Sequence, residues 1–173
     1  MDLTKSNLQY DEDKDLTVKT LYKKIDSKWL YHEAWINHNN VIEHWGILGT
    51  IGETYEHQRN TKLSVEDNVN LVLEKPLSEG YTEIDTDDQI YLQIEYRVKG
   101  MGSDQEHNKL DSLADRIHET LSRTGLGICD GSSYGSGTME VICFVIDFDV
   151  AKAVIAKYLE GTEFSNYHRI YAD

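Results

Sequence analysis

Two alternating segments joined by an asparagine-rich turn constrain this chain more than any other feature. In "KWLYHEAWI", residues 28–36, Trp29, Tyr31, Glu33 and Trp35 fall on one side of an extended strand. Leu30, His32, Ala34 and Ile36 fall on the other. "NHNN", 37–40, is turn chemistry, because Asn tolerates the left-handed backbone region. "VIEHWGIL" then runs back as an antiparallel partner. "TVKTLYKKI" before this hairpin and "ETYEH" after it read as further strands. Period-two writing of this kind commits the region from residue 17 to a strand meander.

The period changes in "SVEDNVNLVLEKPLSEG", 64–80. Ser64 is a good N-cap with Asp67 three residues on, and Val65, Val69, Val72 and Leu73 share one helical face. Pro76 is expected to end or kink the helix near Glu74 or Lys75, and Gly80 to be its C-terminal stop. "YTEI" reads as a short closing strand. "DTDD", 85–88, marks the expected boundary between a first domain, 17–86, and a second, 87–173. Residues 1–16 are polar and expected to be loose.

In the second half, "IYLQIEYRV" alternates cleanly and sets Tyr91 on the face opposite Ile90 and Leu92. "KGMGSDQEHN" reads as a flexible connection. "KLDSLADRIHETLSRTG" reads as an amphipathic helix with Leu110, Leu113, Ala114, Ile117 and Leu121 on one side. "LGICD" is a short strand and "GSSYGSG" a loop. "TMEVICFVI" is apolar nearly throughout, as a central strand is. "DVAKAVIAKYLEG" is a second helix, with Asp147 or Asp149 near its start, and "YHRIY" is the last strand. The order strand-helix-strand-strand-helix-strand is the split βαβ arrangement of the ferredoxin-like fold. The expected class is therefore α+β: an antiparallel sheet with one helix, then a ferredoxin-like βαββαβ domain.

Charge limits the partners. The chain carries 31 Asp and Glu against 17 Lys and Arg, a net −14. Residues 1–86 hold 9 basic and 16 acidic residues, and 87–173 hold 8 and 15, so each half carries −7. Neither half is a basic reader of phosphates. Lys19, Lys23, Lys24 and Lys28 are the local cationic group. No run approaches the apolar length of a membrane span. The first nineteen residues lack the basic and apolar regions of a secretory signal, so cytoplasmic residence is expected. Cys129 and Cys143 read as small buried thiols rather than a disulfide framework.

Trp45-Gly46, Gly49, Gly52, the following helix and Gly80-Tyr81 together resemble a WGR domain, over about residues 28–85. In poly(ADP-ribose) polymerases and some bacterial regulators such domains contact nucleic acid, with help from the Arg of the motif. The resemblance implies binding roles for Trp45, Gly46, Gly49 and Gly52. Ile47 stands where the family has Arg, so the guanidinium that grips phosphate is replaced by a hydrocarbon. Each glycine is expected to supply a turn conformation closed to other residues. Trp45 is expected to anchor the core against Trp29, Trp35 or the helix. The second half, across "TGLGICDGSSYGSGTMEVICFVIDFDVAKAVI", resembles small ferredoxin-like domains of uncharacterised bacterial proteins and some toxin-immunity proteins.

Within "CDGSSYGSG", Asp130, Gly131, Ser132, Ser133 and Tyr134 read either as a ligand or anion cradle or as a hairpin connection. The stretch lacks the Lys and following helix of a P-loop. Asp130, Asp147 and Asp149 could meet a cation, although capping the second helix is the simpler role for Asp147 or Asp149. The seven histidines show no zinc spacing, and no Gly-x-Ser-x-Gly elbow is present. His32 and His44 are expected as a cross-strand pair on a solvated face. No catalysis, metal or cofactor is expected.

The expected function is a non-catalytic protein-interaction or regulatory module, of immunity type, for a basic protein partner. Tyr91 and Tyr134 are the candidate contact residues. The alternative is nucleic-acid or nucleotide binding through the first domain, with Lys23 and Lys24 supplying charge. Self-association through an exposed sheet face or edge fits the same pattern.

Overall fold

A computed structural model describes residues 17–172. The segment 1–16 expected to be loose lies outside the described residues. The chain divides into two compact units, with the boundary between Ile84 and Asp85.

In the first unit, β1 (Lys19–Ile25), β2 (Lys28–Asn37), β3 (Asn40–Ile47) and β4 (Glu53–Gln58) form an antiparallel sheet in chain order. Asp26 and His38 take φ values of 54° and 53°, and each opens a two-residue hairpin turn. Helix α1 (Val65–Ser78) lays Val69 and Leu73 onto Leu21, Ala34, Ile36 and Val41 of one sheet face. The Ser64 hydroxyl caps this helix by accepting from the Asp67 N–H at 3.0 Å.

Two local expectations fail here. Pro76 does not end the helix, because it lies in the last turn, where its missing N–H removes one intrahelical bond only. The end comes at Gly80, φ +90°, where the Tyr81 N–H donates to Pro76 O and the Gly80 N–H to Leu77 O, both at 3.1 Å. "YTEI" is not a strand. It meets the edge strand β1 at the single Tyr22–Thr82 bridge and then leaves.

The second unit opens with a short 3-10 turn, Thr86–Asp88. It continues through β5 (Ile90–Arg97), α2 (Asp104–Arg123), β6 (Gly127–Gly135), β7 (Thr138–Val145), α3 (Phe148–Leu159) and β8 (Arg169–Ala172). The sheet order is β6-β7-β5-β8, antiparallel throughout. Described residues thus comprise three α-helices and two four-stranded antiparallel sheets, an α+β chain. Leu92, Ile94, Met139, Val141 and Cys143 form the inner face of the sheet, all buried. Leu113, Ile117 and Leu121 of α2 and Ile155 of α3 are fully buried as well, and the two helices touch each other.

Two more expectations are corrected. Residues 104–108 are helix rather than connection. Ser103 and Glu106 form a reciprocal capping box that starts α2 at Asp104. "GSSYG" is strand rather than loop, and only Ser136 and Gly137 make the turn into β7. Gly137 has φ +90°, a backbone region that favours glycine.

Candidate functional site

The Trp-Gly stretch is a crossing of two chain segments. Gly52 has φ +70°, and a Cβ there would overlap the Trp45 carbonyl oxygen and the Tyr31 hydroxyl. Gly49 also takes a positive φ, 85°. Gly46 departs from the expectation: its backbone is ordinary strand, and it is glycine for want of space. A Cβ on it would sit 2.8 Å from Gly52 Cα and 3.1 Å from the Tyr31 hydroxyl. The Tyr31 hydroxyl lies 3.0 Å from Thr50 O and 2.9 Å from Ile51 O, so it pins the returning loop.

Beneath this loop the sheet carries a buried polar row. His44 Nδ1 is 2.8 Å from Glu33 Oε1, and its Nε2 meets Ile51 O and, at 3.0 Å, the Tyr31 hydroxyl. The second Glu33 oxygen accepts from the Thr20 hydroxyl at 3.1 Å. Tyr31, Glu33 and His44 are all at most 3% exposed. Every polar atom of the row has a partner, which is what burial of such groups demands.

Burial first, and then the Glu33 charge, pushes the Tyr22 and Tyr31 hydroxyls above their ordinary 10.0. The folded chain thus prefers the neutral phenols. Their contribution to stability is complete below pH 10.0 and declines as pH rises above it, because the unfolded chain ionises first. In an alkaline titration, phenolate absorbance from these two tyrosines should appear only as the first unit unfolds. Their ionisation near pH 10.0 with the fold intact would contradict the arrangement.

The opposite face of the sheet, the side of α1, holds a second polar group. Glu43 accepts from His32 Nε2 through Oε1 and from His57 Nε2 through Oε2, both at 2.6 Å. Trp45 stacks on His32, with ring centroids 5.7 Å apart. So His32 and His44 are not a cross-strand pair. They face opposite sides of the sheet, and His44 is buried. Trp45 is half-buried on the helix side, away from Trp29 and Trp35, and is not part of the buried cluster beneath α1. Among the described residues no group of three His, Cys, Asp or Glu could hold a metal ion.

The lysines do not gather into one patch. Lys23 lies on the helix side, donates to Glu79 O at 2.6 Å and covers the Tyr81 ring. Lys24 points to the other face, over Trp29. Lys19 pairs with Glu83 at 2.9 Å. Ile47 is 47% exposed.

Residues 130–134 do not converge either. Asp130 bulges at the register shift between Cys129 and Gly131. Ser132 and Tyr134 point to the inner face and donate to Asp111 Oδ1 of α2 at 2.8 and 2.5 Å. The Tyr134 bond, and then the Ser132 bond, hold the Asp111 carboxyl below its usual range. An anion placed on these hydroxyls would meet that carboxylate. Ser133 faces the other way, opposite Glu140.

The outer face of the second sheet, away from α2, is where side chains do assemble. Tyr91 and Phe144 are cross-strand neighbours with ring centroids 5.6 Å apart. Ile142 and Ile128 extend this apolar strip, and Ile128 is 44% exposed. Beside it Arg169 donates to Glu95 Oε2 from Nη2 at 2.7 Å and from Nε at 3.0 Å. The Tyr171 hydroxyl donates to Glu140 at 2.8 Å, and the Arg169 guanidinium lies 4.0 Å from the Tyr171 ring centre. Burial, and then the Glu140 bond, push the Tyr171 hydroxyl up to about 12. Glu95 is buried although its strand alternates, because β5 lies inside the sheet and Arg169 closes over it. None of the described helices is long and apolar enough to cross a membrane.

No protein-family model matches this chain, and no curated protein or solved structure matches it.

Proposed function

We propose that the chain is a non-catalytic protein-interaction module that docks a protein through the outer face of its second sheet. One observation carries this reading: the Tyr91–Phe144 pair and Ile128 form an apolar strip bordered by the hydrogen-bonded Glu95–Arg169 and Glu140–Tyr171 pairs. Aromatic residues and Arg are the side chains enriched where proteins meet. The net −14 favours a basic partner through long-range steering, and an immunity-type role in the cytoplasm fits that chemistry.

The element order and strand order of the second unit support its likeness to ferredoxin-like domains. The meander, the single helix and the turn at Gly80-Tyr81 support the WGR-like reading of the first. Nucleic-acid binding there has little support, since Lys23 and Lys24 lie on opposite sheet faces and are engaged by other groups.

The test is affinity capture from cells of the source organism with three baits. The parent chain should retain a protein. The double variant Tyr91→Arg, Phe144→Arg should retain it at least tenfold less. Asp149→Arg, at the exposed start of α3, should leave retention unchanged. Equal retention by all three baits would remove the outer face from the account.

A further inference from the structure

We propose that Cys129 and Cys143 form a reversible dithiol–disulfide couple that takes an oxidising equivalent from a small disulfide of the glutathione type. The two residues lie directly opposite each other in the β6–β7 register. His118 Nδ1 of α2 lies 3.3 Å from Cys129 N and 3.2 Å from Cys129 O. β6 is the edge strand, so the Cys129 backbone groups turn outward to α2 and away from β7. A pair whose backbone groups turn outward is the non-hydrogen-bonded type, with Cα atoms about 4.5 Å apart and side chains close.

The ladder gives the same answer independently. The Ile146 N–H donates to Leu126 O at 3.0 Å. Counting alternately from that bonded pair makes Ile128–Phe144 bonded and Cys129–Cys143 non-bonded. A Cα separation of about 4.5 Å lies inside the disulfide range of about 4.4–6.8 Å. Cβ atoms in cross-strand pairs are about 4.5–5.5 Å apart and closest in the non-hydrogen-bonded type, so this pair falls near the upper end of the usual disulfide spacing.

The two thiols are unequal. Cys143 is fully buried, and Cys129 is partly exposed. The Cys129 thiol donates to Gly131 O at 3.7 Å. The neighbouring Cys143 thiol holds the Cys129 thiol below its usual range, and the neighbouring Cys129, with burial, holds the Cys143 thiol above it. Cys129 is the attacking thiolate and Cys143 the resolving group. Cys129 displaces one half of the small disulfide as a thiolate, which takes a proton and leaves as a thiol. Cys143 then loses its proton, attacks the Cys129 sulfur of the mixed disulfide and releases the second thiol. Two protein thiols are oxidised and one small disulfide is reduced to two thiols.

The test equilibrates the purified full chain with reduced and oxidised glutathione at graded ratios, quenches with an alkylating agent and reads intact mass. The inference expects an intramolecular disulfide in a monomer, reversed as the ratio becomes reducing. It also expects Cys143→Ala to trap one glutathione on Cys129, and Cys129→Ala to take up none. A parent chain alkylated at both thiols under the most oxidising ratio would overturn it, as would glutathione carried on Cys143. The parent measurement needs no variant and is independent of the partner reading.

Discussion

Replacing Gly52 with Ala is expected to unfold the first unit under conditions where the parent chain is folded. The substitution fails twice. A side chain at φ +70° costs about 1–2 kcal/mol. The new Cβ also overlaps the Trp45 carbonyl oxygen, which is backbone and cannot rotate aside. Overpacking adds about 1–3 kcal/mol, so the expected total is about 2–5 kcal/mol. Gly80→Ala separates the two causes. Gly80 shares the positive φ, +90°, but nothing lies within 4 Å of its added Cβ, so only the conformational cost of about 1–2 kcal/mol is expected. The chain's three tryptophans, Trp29, Trp35 and Trp45, all lie in the first unit, so their fluorescence in a denaturant series reports that unit. Equal losses for the two variants would mean that the crossing at Gly52 is not crowded.

The second large effect is expected at Glu33. Glu33→Ala leaves a His44 ring nitrogen and the Thr20 hydroxyl facing a cavity at a site that is 3% exposed. Breaking a buried pair from one side costs about 3–5 kcal/mol. Replacing both partners with apolar groups is much gentler, because no orphan remains. The double variant Glu33→Leu, His44→Leu should therefore lose less than Glu33→Ala in the same fluorescence series. A Glu33→Ala loss below about 1 kcal/mol would show that the row is solvated rather than closed.

The strands and helices were largely legible because they rest on periodicity and caps. The strands read at 28–36 and 90–98, Ser64 with Asp67, and Gly80 all appear in the structure, although the alternation of 90–98 does not carry over into half-burial, because residues 92–96 are buried on both faces. Pro76 misled because its effect depends on how much helix follows it, and only two residues do. The "SDQE" capping box at 103–106 was readable, and it would have placed the start of α2 correctly.

Side-chain assembly was harder to read. With a two-residue turn at His38-Asn39, partners on β2 and β3 have numbers that sum to 77, which sets His44 opposite Glu33 and Trp45 opposite His32. Placing the turn one residue wrongly flips every partner to the other face. That parity separates the buried Tyr31–Glu33–His44 row from the His32–Glu43–His57 group, whereas Lys23 and Lys24, as neighbours on one strand, fall on opposite faces in any register. The need for glycine at position 46 had no local signal at all. It comes from Gly52 and Tyr31, which only the folded crossing brings to it.

The most direct test of the interaction account is photo-crosslinking in cells of the source organism. A photoreactive phenylalanine would replace Tyr91 on the outer face, with a control at Asp149 on the exposed start of α3. The account predicts a discrete protein adduct from position 91, absent from position 149 and resistant to nuclease. Adducts to nucleic acid from position 91, or the same protein adduct from both positions, would contradict it.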